Sequence, residues 1–423
     1  MSVRPESIAT AELQEDYVRV RQQSCALCDP LSVEDYVIQP VPDASPPKWH
    51  LAHATWFFET FLLKVHLPGY QVFHPQFDVL FNSYYNGVGR QHPRAERGLL
   101  SRPTVSEVLA YREHVDAAML SLLVGSTSAD IGFKVVLGLN HEQQHQELLL
   151  TDIKYNLGHN PLYPAYAERT DSPSNGPDTL SFIRVPGGLH ELGRQHDQSG
   201  FAFDNEFPRH KVFTRDFEIS DRVDTNAEYL AFVESGGYEQ SSLWLSDAWS
   251  LWQENGVRAP LYWVQTDQGW MEYTLSGLAP LQSDAPVCHV SGYEAEAFSH
   301  WSGMRLPTEA EWEVASDLAT EDGDFVEEQH YHPKPRAERM TDRISQMFGG
   351  VWEWTRSSYE PYPGFRTFDG ALGEYNGKFM SSQWVLRGGS CATPRDHIRS
   401  TYRNFFYPKD RWQFSGIRLV RDV

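Results

Sequence analysis

Cysteine is scarce in this chain. Four cysteines, at positions 25, 28, 288 and 391, stand among 423 residues, too few for the disulfide framework of a small secreted protein. Cys25 and Cys28 have the CxxC spacing of a redox pair, but no strand precedes them and no second pair follows to complete a zinc site. The turn Cys-Ala-Leu-Cys therefore reads as half-buried helix packing. Long apolar runs are also missing. The stretch Ala117 to Val124 falls far short of the roughly 20 residues that span a bilayer, and Met1 to Gln22 is too charged for the apolar region of a signal peptide. The expectation is a cytoplasmic protein. Positive charge is in short supply too: 36 Lys and Arg face 57 Asp and Glu, a net charge of −21. A field of that sign repels phosphate backbones and anionic lipid, so nucleic acid and membranes are poor partners. No βαβ repeat and no period of 20 to 50 residues is present, which excludes Rossmann folds, solenoids and propellers.

What the chain does have is apolar content, 40% hydrophobic and 13% aromatic residues, enough for two cored domains. Up to about residue 165 it reads as helices joined by Pro-rich segments, with large apolar side chains at 3.6-residue spacing. One helix is expected from Thr10 to Cys28 and a second from Pro47 through Trp49, His53, Trp56, Phe57 and Thr60. A third opens on the capping box Thr104-Val-Ser-Glu107 and runs to about Leu123, and a fourth covers Ile131 to Tyr155. An aromatic and basic loop, Phe73 to Arg102, separates the second from the third. Residues 166–179, rich in Pro, Gly, Ser and Asp, read as a linker between a helical domain at 1–165 and a second domain at 180–423. There the pattern changes to short strands (Phe182 to Val185, Lys211 to Ile219, Trp384 to Arg387, Gly416 to Val420) interrupted by one or two helices, notably Asn226 to Glu234 and Tyr293 to Ser302. The fold class is α+β.

The fourth helix carries Asn140-His141-Glu142-Gln143-Gln144-His145-Gln146-Glu147. The i, i+4 spacing sets two imidazoles one turn apart on one face, where they can share one borderline divalent metal through neutral ring nitrogens. A third ligand must come from elsewhere. His53, inside the second helix, is the best candidate, and His50, about one turn earlier, is its competitor. The same residues also spell HExxH, the zincin pattern, with Glu142 where a metalloprotease places its general base.

The segment Ser45-Pro46-Pro47-Lys48-Trp49-His50-Leu51-Ala52-His53, followed by His141-x-x-x-His145-x-Glu147, resembles the N-terminal DinB-like four-helix bundle of the ergothioneine-type (hercynine) sulfoxide synthases. The second half resembles the formylglycine-generating-enzyme-like (sulfatase-modifying-factor) domain of the same enzymes, a C-type-lectin-like fold. The matching segments include Val185-Pro-Gly-Gly188, Asp204-Asn-Glu-Phe-Pro208, Val223-Asp-Thr-Asn-Ala-Glu-Tyr229, Arg305-Leu-Pro-Thr-Glu-Ala-Glu-Trp312, Gly350-Val-Trp-Glu-Trp-Thr355, Leu386-Arg-Gly-Gly-Ser390 and Phe414-Ser-Gly-Ile-Arg418. The resemblance implies that His53, His141 and His145 bind Fe(II), with open positions for O2 and a sulfur substrate. It also implies an activity: joining a thiol to C2 of the hercynine imidazole and oxidising the sulfur to a sulfoxide.

The same resemblance implies further site residues. Gln144 helps to bind the substrate imidazole. Asn404 and Phe405 meet the betaine carboxylate and trimethylammonium, a group that aromatic faces hold because it donates no hydrogen bond. A tyrosine serves as the acid. Tyr84 and Tyr85 are favoured because their loop leads into the basic run, with Tyr375 as the third candidate. Arg90, Arg94 and Arg97 are an excess of positive charge in an acidic chain, and one of them is expected to hold the thiol's carboxylate. Phe406 and Asp410 stand where relatives that use γ-glutamylcysteine have an Asp and an Arg, so cysteine is the expected donor. The nearer rival is an ovothiol-type synthase joining cysteine to histidine at C5. Formylglycine generation would need two closely spaced cysteines in the C-terminal core, and only Cys391 is counted there. A lectin-like binding module would leave the three histidines without a purpose.

Overall fold

The computed structural model describes residues 10–124, 128–168, 174, 176, 178–320 and 323–423. Residues 169–173, 175 and 177 of the expected linker lie outside the described residues. The architecture is α+β. The chain divides into two compact units. The first comprises Met1–Pro161, Gln195–Phe207 and Arg366–Lys378, and the second comprises Leu162–Arg194, Pro208–Phe365 and Phe379–Val423.

Four helices build the first unit: α1 (Thr10–Ala26), α2 (Pro47–Phe58), α3 (Val105–Leu123) and α4 (Ala129–Gly158). Three of their starts are chemically marked. Pro47 occupies the first turn of α2, where a missing N–H is not needed. Thr104 and Glu107 close a reciprocal capping box on α3, and the Ser128 hydroxyl accepts from Ile131 N at the head of α4. Every residue of α2 is buried, packed between α3 and α4. Leu13, Tyr17, Val20, Trp56, Phe57, Phe58, Tyr111, Val115, Met119 and Ile153 form the apolar core. Gly138 allows a close approach of α4 to α2, since a Cβ there would lie 2.6 Å from the Phe58 ring. After Phe58 the helix continues through one π turn, Glu59–Leu63. Buried Glu59 accepts there from the Tyr70 hydroxyl (2.6 Å) and the Tyr111 hydroxyl (2.7 Å). The Phe73 to Arg102 segment contains a helical turn, Phe77–Leu80, and a 3-10 turn, Arg94–Leu99. Among the described residues no helix is long and apolar enough to cross a membrane.

The second unit is a set of small sheets: β1 (Phe182–Val185), β4 (Phe217–Ser220) and β12 (Val420–Asp422) in the order β1-β4-β12; β2 (Gly188–Leu192) with β3 (His210–Thr214); β5 (Trp263–Thr266), β6 (Gly269–Thr274) and β7 (Gly277–Pro280) as a meander; and β8 (Trp352–Ser358), β9 (Trp384–Arg387), β10 (Asn404–Phe406) and β11 (Ser415–Gly416) in the order β10-β9-β8-β11. Val185, Phe217, Ile219, Trp312, Ile344, Met347 and Val420 make one core cluster. A buried ion pair lies at its margin: Arg418 meets Glu353 at 2.7 Å, and the Trp312 indole N–H donates to the same carboxylate at 2.6 Å.

Several expectations change here. Lys211 to Ile219 is two strands in two sheets, because a break at Arg215 and Asp216 separates β3, paired with β2, from β4, paired with β1 and β12. Gly416 to Val420 is likewise divided, β11 running parallel to β8 and β12 antiparallel to β4. Helices are more numerous than one or two: Ser246–Asn255 and Glu309–Ala315 join Asn226–Glu234 and Gly292–Trp301. Cys288 and Cys391 are both buried in this unit, so the expectation of a single cysteine there is corrected to two. Cys28 is buried, and burial pushes its thiol up to about 12, which makes it unreactive packing.

Candidate metal centre

His53, His141 and His145 come together in the interior of the first unit, each buried, with one ring nitrogen apiece inside a sphere of mutual distances no greater than 4.8 Å. Helix periodicity explains the arrangement. α4 supplies the i, i+4 pair, whose ring centroids lie 4.6 Å apart, and α2 presents His53 opposite, 5.0 Å from His141 and 4.7 Å from His145. On α2 the spacing 49, 53, 56 stacks three rings along one stripe. Trp49 lies parallel to His53 (4.6 Å, 11°) and Trp56 covers its other side (5.7 Å, 14°). The Arg97 guanidinium closes the stack, 3.4 Å from the centroid of Trp49.

The electrostatics suit a cation. His53 Nδ1–H donates to the Phe81 carbonyl at 2.6 Å, which leaves Nε2 with its lone pair, and that nitrogen stands 3.2 Å from His141 Nε2. His141 Nδ1 is buried without a hydrogen-bond partner. Burial holds all three imidazoles in the neutral form: it pushes His141 down to about 3, and for His53 and His145 the neighbouring imidazoles reinforce the effect of burial. Three neutral nitrogens converging on one point form a donor set that fits Fe(II), and by donor type also Co(II) or Zn(II). His50, the competing ligand, is placed differently. Its Nδ1 lies 2.9 Å from His145 Nδ1 and its Nε2 lies 3.0 Å from Asp152 Oδ2.

The zincin reading fails on Glu142. Its carboxylate faces away from the histidines into a buried network with Arg21 (2.9 Å), Arg112 and the Ser24 hydroxyl (2.7 Å). Burial alone would raise it, but the Arg112 and Arg21 charges outweigh burial and hold the carboxyl at about 2. A group so neutralised is no general base.

Two phenols reach the histidines. The Tyr84 ring lies 6.4 Å from His53, and the Tyr375 ring 5.5 Å from His141; the two tyrosines are 6.2 Å apart. Tyr375 arrives on Arg366–Lys378, the distant segment grouped with the bundle, where it stacks on Phe203 at 5.6 Å. Asn376 donates to buried Asp204 (2.7 Å), and Glu374 accepts the backbone N–H groups of Asn86 (3.0 Å) and Gly87 (2.7 Å). Burial pushes Tyr84 up to about 12, against the pull of Arg94 and Arg97. Tyr85 packs against Trp56, Phe61 and Tyr84, with its hydroxyl buried and unpartnered. Of the favoured pair, then, Tyr84 is beside the cluster and Tyr85 is one layer behind it. The signal for Tyr375 was loose in the sequence because most of the chain separates it from Tyr84, and only folding brings the two together.

The arginines separate as well. Arg97 is buried and donates to Ser45 Oγ and Ser83 Oγ, both at 2.9 Å, so its place is behind Trp49. Arg94, exposed, donates to the Asp43 carbonyl, and Arg90 is exposed. Gln144 is half-buried on α4, next to His145. In the second unit Asn404, Phe405 and Phe406 form β10, paired with β9. The Phe405 ring stacks on Tyr359 (4.1 Å, 10°), Phe406 is half-buried, and Asp410 is buried with Oδ2 accepting from Tyr407 N at 3.2 Å.

The chain matches known families along most of its length. Residues 16–149 match the DinB superfamily, and residues 168–346 and 343–423 match the sulfatase-modifying factor enzyme 1-like domain. It is 33% identical over 412 residues to a hercynine oxygenase of Mycolicibacterium smegmatis, covering 90% of this chain and 92% of that protein. It is 31% identical over 453 residues to the hercynine oxygenase of Mycolicibacterium thermoresistibile, covering 98% and 95%. A formylglycine-generating enzyme of Streptomyces coelicolor is 27% identical over 271 residues, covering 54% of this chain and 83% of that one.

Proposed function

Since this chain belongs to the hercynine oxygenase family and is an oxidoreductase of that kind, we propose that it uses Fe(II) and O2 to join a thiol to C2 of the hercynine imidazole, a step of ergothioneine biosynthesis. The balance is simple: the imidazole C–H and the thiol S–H are lost, a C–S bond forms, one oxygen atom ends on sulfur as the sulfoxide and the other leaves as water. The observation that carries the reading is the cluster of His53, His141 and His145, contributed by two helices of a bundle whose sequence follows the family. Bound there, Fe(II) would supply a site for O2 and thiolate together. The protein's own part is to keep three neutral nitrogens converged, to exclude water with Trp49, Trp56 and Phe57, and to hold a phenol proton at Tyr375 or Tyr84 beside the reacting atoms.

By resemblance Gln144, Asn404 and Phe405 bind hercynine, and Phe406 with Asp410 favours cysteine over γ-glutamylcysteine; by charge, an exposed arginine of the loop, Arg90 or Arg94, holds the thiol's carboxylate. We also propose a domain boundary within 166–179, between helical residues 1–165 and residues 180–423; the DinB match ends at 149 and the second match begins at 168, while 195–207 and 366–378 group with the helical unit. Four cysteines in 423 residues accord with a cytoplasmic setting. The test is anaerobic reconstitution with Fe(II), then aerobic incubation with hercynine or histidine and each thiol, read by mass spectrometry and by NMR of the product ring. A C2 sulfoxide that forms only with iron is the expected result. A product from histidine substituted at C5, or no iron-dependent product at all, would defeat the reading.

A further inference from the structure

The reading of His53, His141 and His145 as metal ligands leaves two buried polar residues beside them without a task. We infer that Asp152 and His50 form a hydrogen-bonded relay that sets the tautomer and orientation of His145, so that both are positioning residues of the metal centre. Asp152 and His145 share one face of α4, two turns apart, while His50 and His53 both project from α2. Asp152 Oδ2 accepts the Ser45 backbone N–H at 2.7 Å and stands 3.0 Å from His50 Nε2. A carboxylate only accepts, so His50 Nε2 is the donor. With that one proton on the ring, His50 Nδ1 is an acceptor. Its partner, 2.9 Å away, is His145 Nδ1, which must therefore carry the proton. His145 Nε2 is left with a lone pair, as a metal ligand requires. His53 reaches the same state by a different route, through the Phe81 carbonyl. Ser45, His50, Asp152 and His145 are 3%, 4%, 3% and 8% exposed, so water is largely kept from competing for these bonds.

The inference rests on the metal reading, and metal affinity tests the two separately. Co(II) is titrated anaerobically into the metal-free full chain against a competing chelator, with the ligand-field absorption as readout. Wild type should bind one Co(II); if it binds none, the metal reading fails, and the relay with it. Given wild-type binding, His50→Leu and Asp152→Ala should each weaken Co(II) about 10- to 100-fold without changing stoichiometry. The double variant should be no more than about twofold weaker than the worse single, because both changes interrupt one chain. His50→Gln, whose Oε1 can still accept from His145 Nδ1, should stay within about threefold of wild type. Circular dichroism and melting of the metal-free variants identify any that fail to fold. His50→Gln then decides alone: a loss as large as that of His50→Leu overturns the relay. So do wild-type affinity in the single variants, multiplied losses in the double, or complete loss of the bound ion in His50→Leu, which would make His50 a ligand.

Discussion

A buried charge is tolerable only when its partners are fixed, and Glu142 shows how strongly that rule separates two sequence readings of one motif. Within HExxH it could have been a base; among Arg21, Arg112 and Ser24 it is a structural anchor tying α4 to α1 and α3. Glu142→Gln removes the carboxylate that buried Arg112 meets, while Arg21 keeps Asp116 at 2.7 Å, and should cost about 3 kcal/mol in urea unfolding at pH 7. Because the folded carboxyl is held at about 2, below its ordinary 4.5, its contribution is fully present above pH 4.5 and is lost as pH falls through about 2. The stability gap between wild type and Glu142→Gln should therefore be flat near neutrality and close across that acid window; a gap that widened toward acid would contradict the assignment. The phenols make a second case. Tyr375→Phe and Tyr84→Phe remove the hydroxyls of the two tyrosines whose rings pack on the histidines and are expected to preserve hercynine binding while diverting O2 toward simple oxidation of the thiol to its sulfinic acid. Tyr85→Phe, one layer back, should leave the product ratio as it is. If the Tyr84/Tyr375 double variant also kept the wild-type ratio, neither phenol would be on the proton path.

At the scale of elements, the site depends on how closely α2 and α4 approach. Gly138 stands one turn before His141, and a methyl group there would press on Phe58 at 2.6 Å and Phe57 at 2.9 Å. Alanine is the better helix former by about 1 kcal/mol, yet overpacking of this kind costs about 1 to 3 kcal/mol, so crowding wins. Gly138→Ala should lower the melting temperature and weaken Co(II) binding together, since one of the rings that would move, Phe57, packs on His141 at 4.9 Å. A stabilised variant with unchanged metal affinity would show that the helices separate without cost. The π turn at Glu59–Leu63 is the other departure from regularity, and Glu59 there gathers Tyr70 and Tyr111 from two other segments. Such turns interrupt a helix register at a cost and persist where side chains must be re-aimed.

For the whole molecule the open chemical question is the thiol. A γ-glutamyl group carries an extra ammonium and carboxylate, and desolvating either without a partner costs several kcal/mol. By the resemblance, the positions that hold the glutamyl group in relatives carry Phe406 and Asp410 here, which would offer its ammonium no anion and its carboxylate no cation. We expect kcat/KM for cysteine to exceed that for γ-glutamylcysteine by at least about tenfold, equivalent to roughly 1.4 kcal/mol of transition-state binding. Equal or reversed preference in steady-state kinetics would move the specificity to other residues. The share of this that was legible in advance follows the range of each interaction. Four bundle helices, the Thr104–Glu107 capping box and the His141–His145 clip depend on neighbours within a turn, so spacing alone made them legible, whereas the Ser128 cap, which precedes the expected start of α4 at Ile131, was not. Strand breaks did not follow, because the division between β3 and β4 is made by different partners, β2 for one and β1 with β12 for the other. Likewise only the tertiary structure could turn His50 toward Asp152 and His53 toward His141 and His145, draw Glu142 into a pair of arginines, and bring Tyr375 to the histidines ahead of Tyr85. Periodicity assigns a residue to a face, whereas the group it meets there is supplied by chain that lies far away in sequence.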